Sequence, residues 1–219
     1  MQKPSPASAF TLLEVLVVIF IAFVLFAMLQ PSIYRKPPGL NLNVRCLSNQ
    51  KQIALGLIMY EDDHHGEFPW QGLNTNGAVS AFIRDGRAAS QFKVLSNYLN
   101  YTQVFLCPSD HKRNTATNFA AMTDTTTSYF VGFGWGTNQT ETILTGDRHL
   151  ISNGRPVPPG LLTYSNGSVM NWSRELHANM KMSYGNLSFA DGHAQGVGSA
   201  GLTSIFSREG LATNLLAVP

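Results

Sequence analysis

Between Phe10 and Leu29 the chain carries only two polar side chains, Thr11 and Glu14, and from Val15 to Leu29 it is apolar without interruption. A helix that rests one face on a soluble core shows polar residues on its other face; this stretch is apolar all round. A helix of about 20 residues spans roughly 30 Å, the hydrocarbon thickness of a bilayer, so the segment reads as a membrane-spanning helix. A cleaved secretory signal needs a shorter apolar core followed by a small-x-small site, which Phe26-Ala27-Met28-Leu29-Gln30 does not offer. Glu14 is the anomaly. A carboxylate inside an apolar span costs about 3 kcal/mol unless it is paired, and a plain signal anchor gives no reason for it.

The residues around that carboxylate carry a resemblance. Ala9-Phe10-Thr11-Leu12-Leu13-Glu14 resembles the leader junction of type IV pilins and type II secretion pseudopilins. The resemblance implies cleavage by prepilin peptidase between Ala9 and Phe10, where most of the family has Gly rather than Ala before the cut. It also implies methylation of the new Phe10 amine and an assembly role for Glu14. Glu14 of one subunit then pairs with the Phe10 amine of its neighbour, and two opposite charges buried together cost far less than one alone. Pro31 adds to the resemblance, at a distance where such helices often bend. The implied partners are prepilin peptidase, other pilin or pseudopilin subunits, an inner-membrane assembly platform and membrane lipid. The implied location is a single-pass inner-membrane protein, N-terminus cytoplasmic, with its head periplasmic or in an extracytoplasmic filament.

The organisation expected is a leader over 1–9, a membrane and assembly helix over 10–35, a Pro/Gly break over 36–40 and a head over 41–219. Lys36-Pro37-Pro38-Gly39 cannot continue a helix. Helical periodicity returns from Asn41 to Asp63, with Val44, Leu47, Ala54, Leu55 and Ile58 on one face, widened by Ile53 and Leu57, and Gly66 as its stop. A short helix is expected over Ala88 to Leu99 and strands over Gln103 to Cys107, Ser128 to Phe133, Thr142 to Thr145 and Leu161 to Tyr164. Asn186 to Ala190, then Asp191-Gly192, then His193 to Gln195 is the sharpest hairpin signal, because Asp-Gly accepts the positive φ of a tight turn. The final dozen residues read as loosely ordered. The fold class is therefore α+β and pilin-like: a long N-terminal membrane-spanning helix, a break, and a second amphipathic helix packed on a mostly antiparallel sheet. Cys46 to Ile53, Phe105 to Asp110, Leu144 to Arg148 and Gly185 to His193 resemble a pseudopilin-like subgroup abundant in planctomycete and verrucomicrobial bacteria.

A formal net charge of +2 supplies no basic stripe, so nucleic acid is excluded as a primary partner. The two cysteines, Cys46 and Cys107, are not in a Cys-x-x-Cys pair, which argues against a cysteine zinc site. In an exported domain they pair as a disulfide; otherwise they are two buried thiols. Asp147 and His149, and again Asp191 and His193, form Asp-x-His patterns that offer mixed ligands, though each Asp can equally cap a turn. No cofactor is assigned; calcium enters only through the resemblance to pseudopilins that hold it, with Asp147 and Asp191 as carboxylates. No His-Glu-x-x-His, Gly-x-Ser-x-Gly or phosphate-binding glycine loop occurs. The chain reads as a filament subunit and not an enzyme, the alternative being a membrane-tethered periplasmic binding or enzymatic domain that uses the leader for targeting.

Overall fold

The computed structural model describes residues 11–29, 38–71, 81–134, 142–165, 167–177, 183–208 and 213–219. The chain divides into two compact units, Met1–Lys36 and Pro37–Pro219. The expected cleavage site at Ala9 and Phe10, Pro31, and the Lys36-Pro37 part of the expected break lie outside the described residues.

The first unit holds α1 (Leu12–Leu29), 18 residues long. Its start is fixed by a reciprocal cap. The Glu14 amide donates to Thr11 Oγ1 at 3.3 Å, while the Thr11 amide and hydroxyl donate to the Glu14 carboxylate at 2.8 and 3.0 Å. Threonine at the cap and glutamate three residues on satisfy two otherwise orphaned amides. Leu12, Leu13, Leu16, Val18, Phe20, Phe23, Phe26 and Met28 are all exposed, so the apolar surface runs around the whole helix.

Because Thr11 is spent as the cap, the apolar run yields a helix of about 27 Å at 1.5 Å per residue, short of a hydrocarbon layer of roughly 30 Å. No helix among the described residues is long and apolar enough to cross a membrane. This corrects the expected membrane-spanning helix over 10–35, and the single-pass inner-membrane location with a periplasmic head goes with it.

The second unit opens with α2 (Pro38–Asp63). Proline is tolerated in a first helical turn, where its missing N–H had no partner, so the helix begins inside the expected break. It ends where His65 (φ 60°) and Gly66 (φ 80°) turn left-handed and the Gly66 amide closes on Glu61 O at 2.9 Å. The buried face is Asn43, Cys46, Gln50, Ile53, Ala54 and Leu57, whereas Val44 and Leu55 stay 56% and 45% exposed. Ile53, Ala54 and Leu57 of the expected face are buried, while Val44 and Leu55 are not, because the polar Asn43 and Gln50 fill core-facing positions.

Then follow α3 (Ala81–Asp85), α4 (Ala88–Lys93) running into a 3-10 turn Val94–Asn97, and a second 3-10 turn Thr102–Phe105 where a strand was expected. The strands are β1 (Tyr129–Gly132), β2 (Ile143–Asp147), β3 (Leu150–Ser152), β4 (Arg155–Pro156), β5 (Gly160–Ser165), β6 (Met170–Trp172), β7 (Tyr184–Phe189), β8 (Ala194–Gly198) and β9 (Thr213–Val218), with α5 (Ser199–Arg208) before the last. Six form one sheet, β5-β9-β1-β2-β7-β8, and three a second, β4-β3-β6; every pairing is antiparallel.

The main sheet is covered on both faces. Tyr129, Val131, Leu144 and Ala217 pack with α2 and α4 residues such as Ile53, Leu57 and Phe92. Phe130, Ile143, Leu187, Leu216 and Val218 face the other way, onto Trp172 of β6 and Leu202 and Phe206 of α5. The β7–β8 turn is the expected one, Gly192 supplying φ 83° and the Phe189 amide bonding His193 O at 3.0 Å.

Residues expected to be loosely ordered form β9, hydrogen-bonded between β5 and β1. Ending the chain before Thr213 should therefore abolish the folded head. Far-UV circular dichroism and soluble yield check this, and a truncated chain with the full-length spectrum would contradict the topology.

Candidate functional site

Where α2 crosses the ends of β2 and β7, the interface is polar rather than apolar. Asp147 closes β2 and is fully buried. One carboxylate oxygen accepts from Gln50 Nε2 at 3.0 Å. The other accepts from the Asn186 amide at 2.7 Å and Asn186 Nδ2 at 3.1 Å, and lies 2.9 Å from His177 Nε2. Asn186 Nδ2 also donates to Asn43 Oδ1 at 2.9 Å. Asn43 and Gln50 come from α2, Asn186 from β7, and His177 from the segment after β6, so one carboxylate ties three parts of the head together. A buried carboxylate survives only with such a set of donors.

Beside it Cys46 of α2 is joined to Cys107, Cα atoms 5.0 Å apart, by a disulfide spanning 61 residues. A loop of that length stabilises the fold by about 4 kcal/mol in the chain-entropy description. Tyr129 Oη is 3.3 Å from Cys46 Sγ, and burial, reinforced by the Asp147 charge, pushes this phenol well above its usual range, so it remains an O–H donor.

His149, two residues past Asp147, points elsewhere. Its Nε2 donates to Tyr184 O at 3.1 Å, and its ring stacks on Trp172 at 4.9 Å and meets the His177 ring at 5.7 Å. The stack depends on a glycine: a Cβ at Gly185 would meet the Trp172 ring at 2.6 Å. Burial lowers the His149 pKa from 6.5 to about 4, outweighing the pull of Asp147, while His177 and Arg148 push the same way as burial.

On the next residue, Arg148 forks onto Asp110 at 2.8 and 2.9 Å and reaches Glu175 at 2.6 Å, with Lys112 also on Glu175 at 3.1 Å. Burial alone would raise the Asp110 pKa, but the Arg148 and Ser128 hydrogen bonds hold it below its usual value. Holding Glu175 in place sets the segment that delivers His177.

The structure does not unite Asp147 with Asp191. Asp191 sits in the β7–β8 turn, where its carboxylate accepts from the His193 amide at 3.0 Å and from the His193 ring. Among the described residues Asp147 instead shares a ligand-bearing group with Cys46, Cys107 and His177, whose donor atoms all lie within 4.8 Å of one another. Chemically the group sets an imidazole nitrogen at hydrogen-bond distance from a carboxylate and assembles nitrogen, oxygen and sulfur donors. No family model matches the chain, and no curated protein or solved structure matches it.

Gln50, Asn186, Asn43 and Tyr129 were not foreseen as site residues. Gln50 had a signal: it lies four residues after Cys46 and three before Ile53, on the buried stripe, where a polar side chain needs a partner.

A neutral buried His149 makes the head acid-sensitive. Between pH 6.5 and about 4 the unfolded chain binds a proton at His149 that the folded chain does not, so stability falls as pH drops through this window. The loss amounts to about 3 kcal/mol at most. Urea midpoints at pH 7 and pH 4 measure it, and His149→Phe should flatten the difference; an unchanged difference in that variant would contradict the assignment.

Proposed function

We propose that the chain is a structural subunit of a pilus- or pseudopilus-like filament, trimmed by prepilin peptidase before Phe10, in which α1 of each copy is buried against α1 of its neighbours. The observation that carries this reading is the apolar surface around the whole of α1, exposed from Leu12 to Met28. Such a surface in water drives association, and helices that are apolar all round are covered all round, as at the centre of a helical bundle. The head suits a structural role. Cys46–Cys107 and the Asp147 hydrogen bonds lock α2 onto the sheet, so that load carried along the chain does not peel it away.

One observation favours a second reading, a domain that carries the leader residues without assembling. Glu14 already has local work in its reciprocal cap with Thr11, so its charge does not by itself demand a neighbour's amine.

A pair of substitutions separates the two. Gln at this position keeps the cap but removes the charge, whereas Ala removes both, at a cost to the helix start of about 1 kcal/mol. Electron microscopy of the expressed chain should show filaments for wild type and none for either Glu14→Gln or Glu14→Ala. Filaments that persist in Glu14→Gln would show that the charge pairs with nothing. Absence of filaments from the wild-type chain would overturn the assembly reading.

A further inference from the structure

The group formed by Cys46, Cys107, Asp147 and His177 is buried throughout and combines two sulfurs, an imidazole nitrogen and a carboxylate oxygen. We propose that in its dithiol form this head binds one zinc ion through these four side chains, so that the chain exchanges a disulfide for a metal ion according to its redox state.

Four arguments support the site. The donor set comes first: two thiolates, one imidazole and one carboxylate suit tetrahedral zinc, whereas calcium takes oxygen ligands alone. Spacing is the second. Zinc bonds of about 2.0–2.3 Å put neighbouring ligand atoms about 3.3–3.8 Å apart; here all four lie within 4.8 Å of one another, Cys46 Sγ is 3.6 Å from one Asp147 oxygen, and His177 Nε2, hydrogen-bonded to the other at 2.9 Å, has to move outward by about half an ångström to share an ion. The third is the set of groups behind the ligands. Gln50 and Asn186 donate to Asp147, and Tyr129 stands 3.3 Å from Cys46 Sγ, as the outer partners of metal ligands do. Last, Nε2 is the His177 nitrogen turned to the group, 2.9 Å from an Asp147 oxygen, so the imidazole already faces the other three ligands.

The two states exclude each other because a disulfide sulfur is not a thiolate. A phosphine reductant opens the bond: phosphorus gains the oxygen of one water molecule and becomes the phosphine oxide, and that water's two protons end on the two sulfurs. Zinc then binds as both thiol protons leave to solvent, with the imidazole neutral and Asp147 ionised.

The test uses the untagged full chain, oxidised or reduced with a phosphine, mixed with zinc and stripped of excess by gel filtration before elemental analysis. Reduced protein should retain one zinc per chain and oxidised protein none. Cobalt in place of zinc should give thiolate-to-metal charge-transfer absorption only in the reduced chain. In the reduced state His177→Ala and Asp147→Asn should weaken zinc binding tenfold or more, and Gln50→Ala, behind the ligands, by about 10-fold. The oxidised and reduced wild-type comparison needs no variant to fold. Reduced wild type that retains no zinc, oxidised protein that retains as much, or cobalt bound without thiolate absorption would each overturn the proposal. None of these outcomes depends on whether the chain forms filaments.

Discussion

The head is organised around one buried charge. Asp147 is fully buried, and its carboxylate takes hydrogen bonds from Gln50 on α2 and from the amide and side chain of Asn186 on β7, with His177 beside it. Removing a buried carboxylate's partners costs several kcal/mol, so α2 can sit on the sheet in only one register: the one that brings Gln50 and Asn43 over the ends of β2 and β7. Apolar packing alone tolerates sliding and repacking. The disulfide from Cys46, one turn before Gln50, acts at the same place, joining by covalent bond what the carboxylate joins by hydrogen bonds.

This arrangement explains which features were legible in the sequence. The amphipathic helix stopped by Gly66, the strand holding Tyr129 to Gly132, β2 as far as Thr145, and the Asp191-Gly192 hairpin rest on local signals: periodicity, β-branched and aromatic residues, and turn chemistry; Gly146 and Asp147, which extend β2, read as a turn. The face of α2 departs from its apolar pattern at Val44 and Leu55 because the buried stripe carries Asn43 and Gln50, whose partners lie about a hundred residues away in the chain or more. No local pattern reports a partner at that distance.

Strand β9 was missed for a related reason. Leu216 to Val218 is buried on both faces, with Ala217 and the half-buried Leu215 toward α2 and Leu216 and Val218 toward α5, so it shows no alternation and reads as a short apolar tail. The β3–β4 turn, in contrast, is marked locally: Asn153-Gly154, with φ 49° and 78°, is the pair a two-residue hairpin favours. Among candidate ligands Asp147 and the two cysteines were legible as residue types. Their meeting with His177 was not, since it depends on the Arg148–Glu175 contact that positions the segment after β6.

The N-terminal unit poses the opposite problem, a local signal with more than one reading. An apolar run with an acidic residue near its start suggests a membrane span; the structure gives Thr11 and Glu14 a capping role and leaves an 18-residue helix, and no helix among the described residues is long and apolar enough to cross a membrane. Other copies of the same helix are the cover proposed here. Hydroxyl-radical footprinting of the full-length chain in detergent-free buffer tests this most directly. Phe20, Phe23, Phe26 and Met28 are 64%, 68%, 65% and 79% exposed in the single chain. The account predicts that they resist oxidation in the assembled protein and become reactive when it is diluted to single chains. Oxidation at the rate of open side chains at every concentration would contradict it.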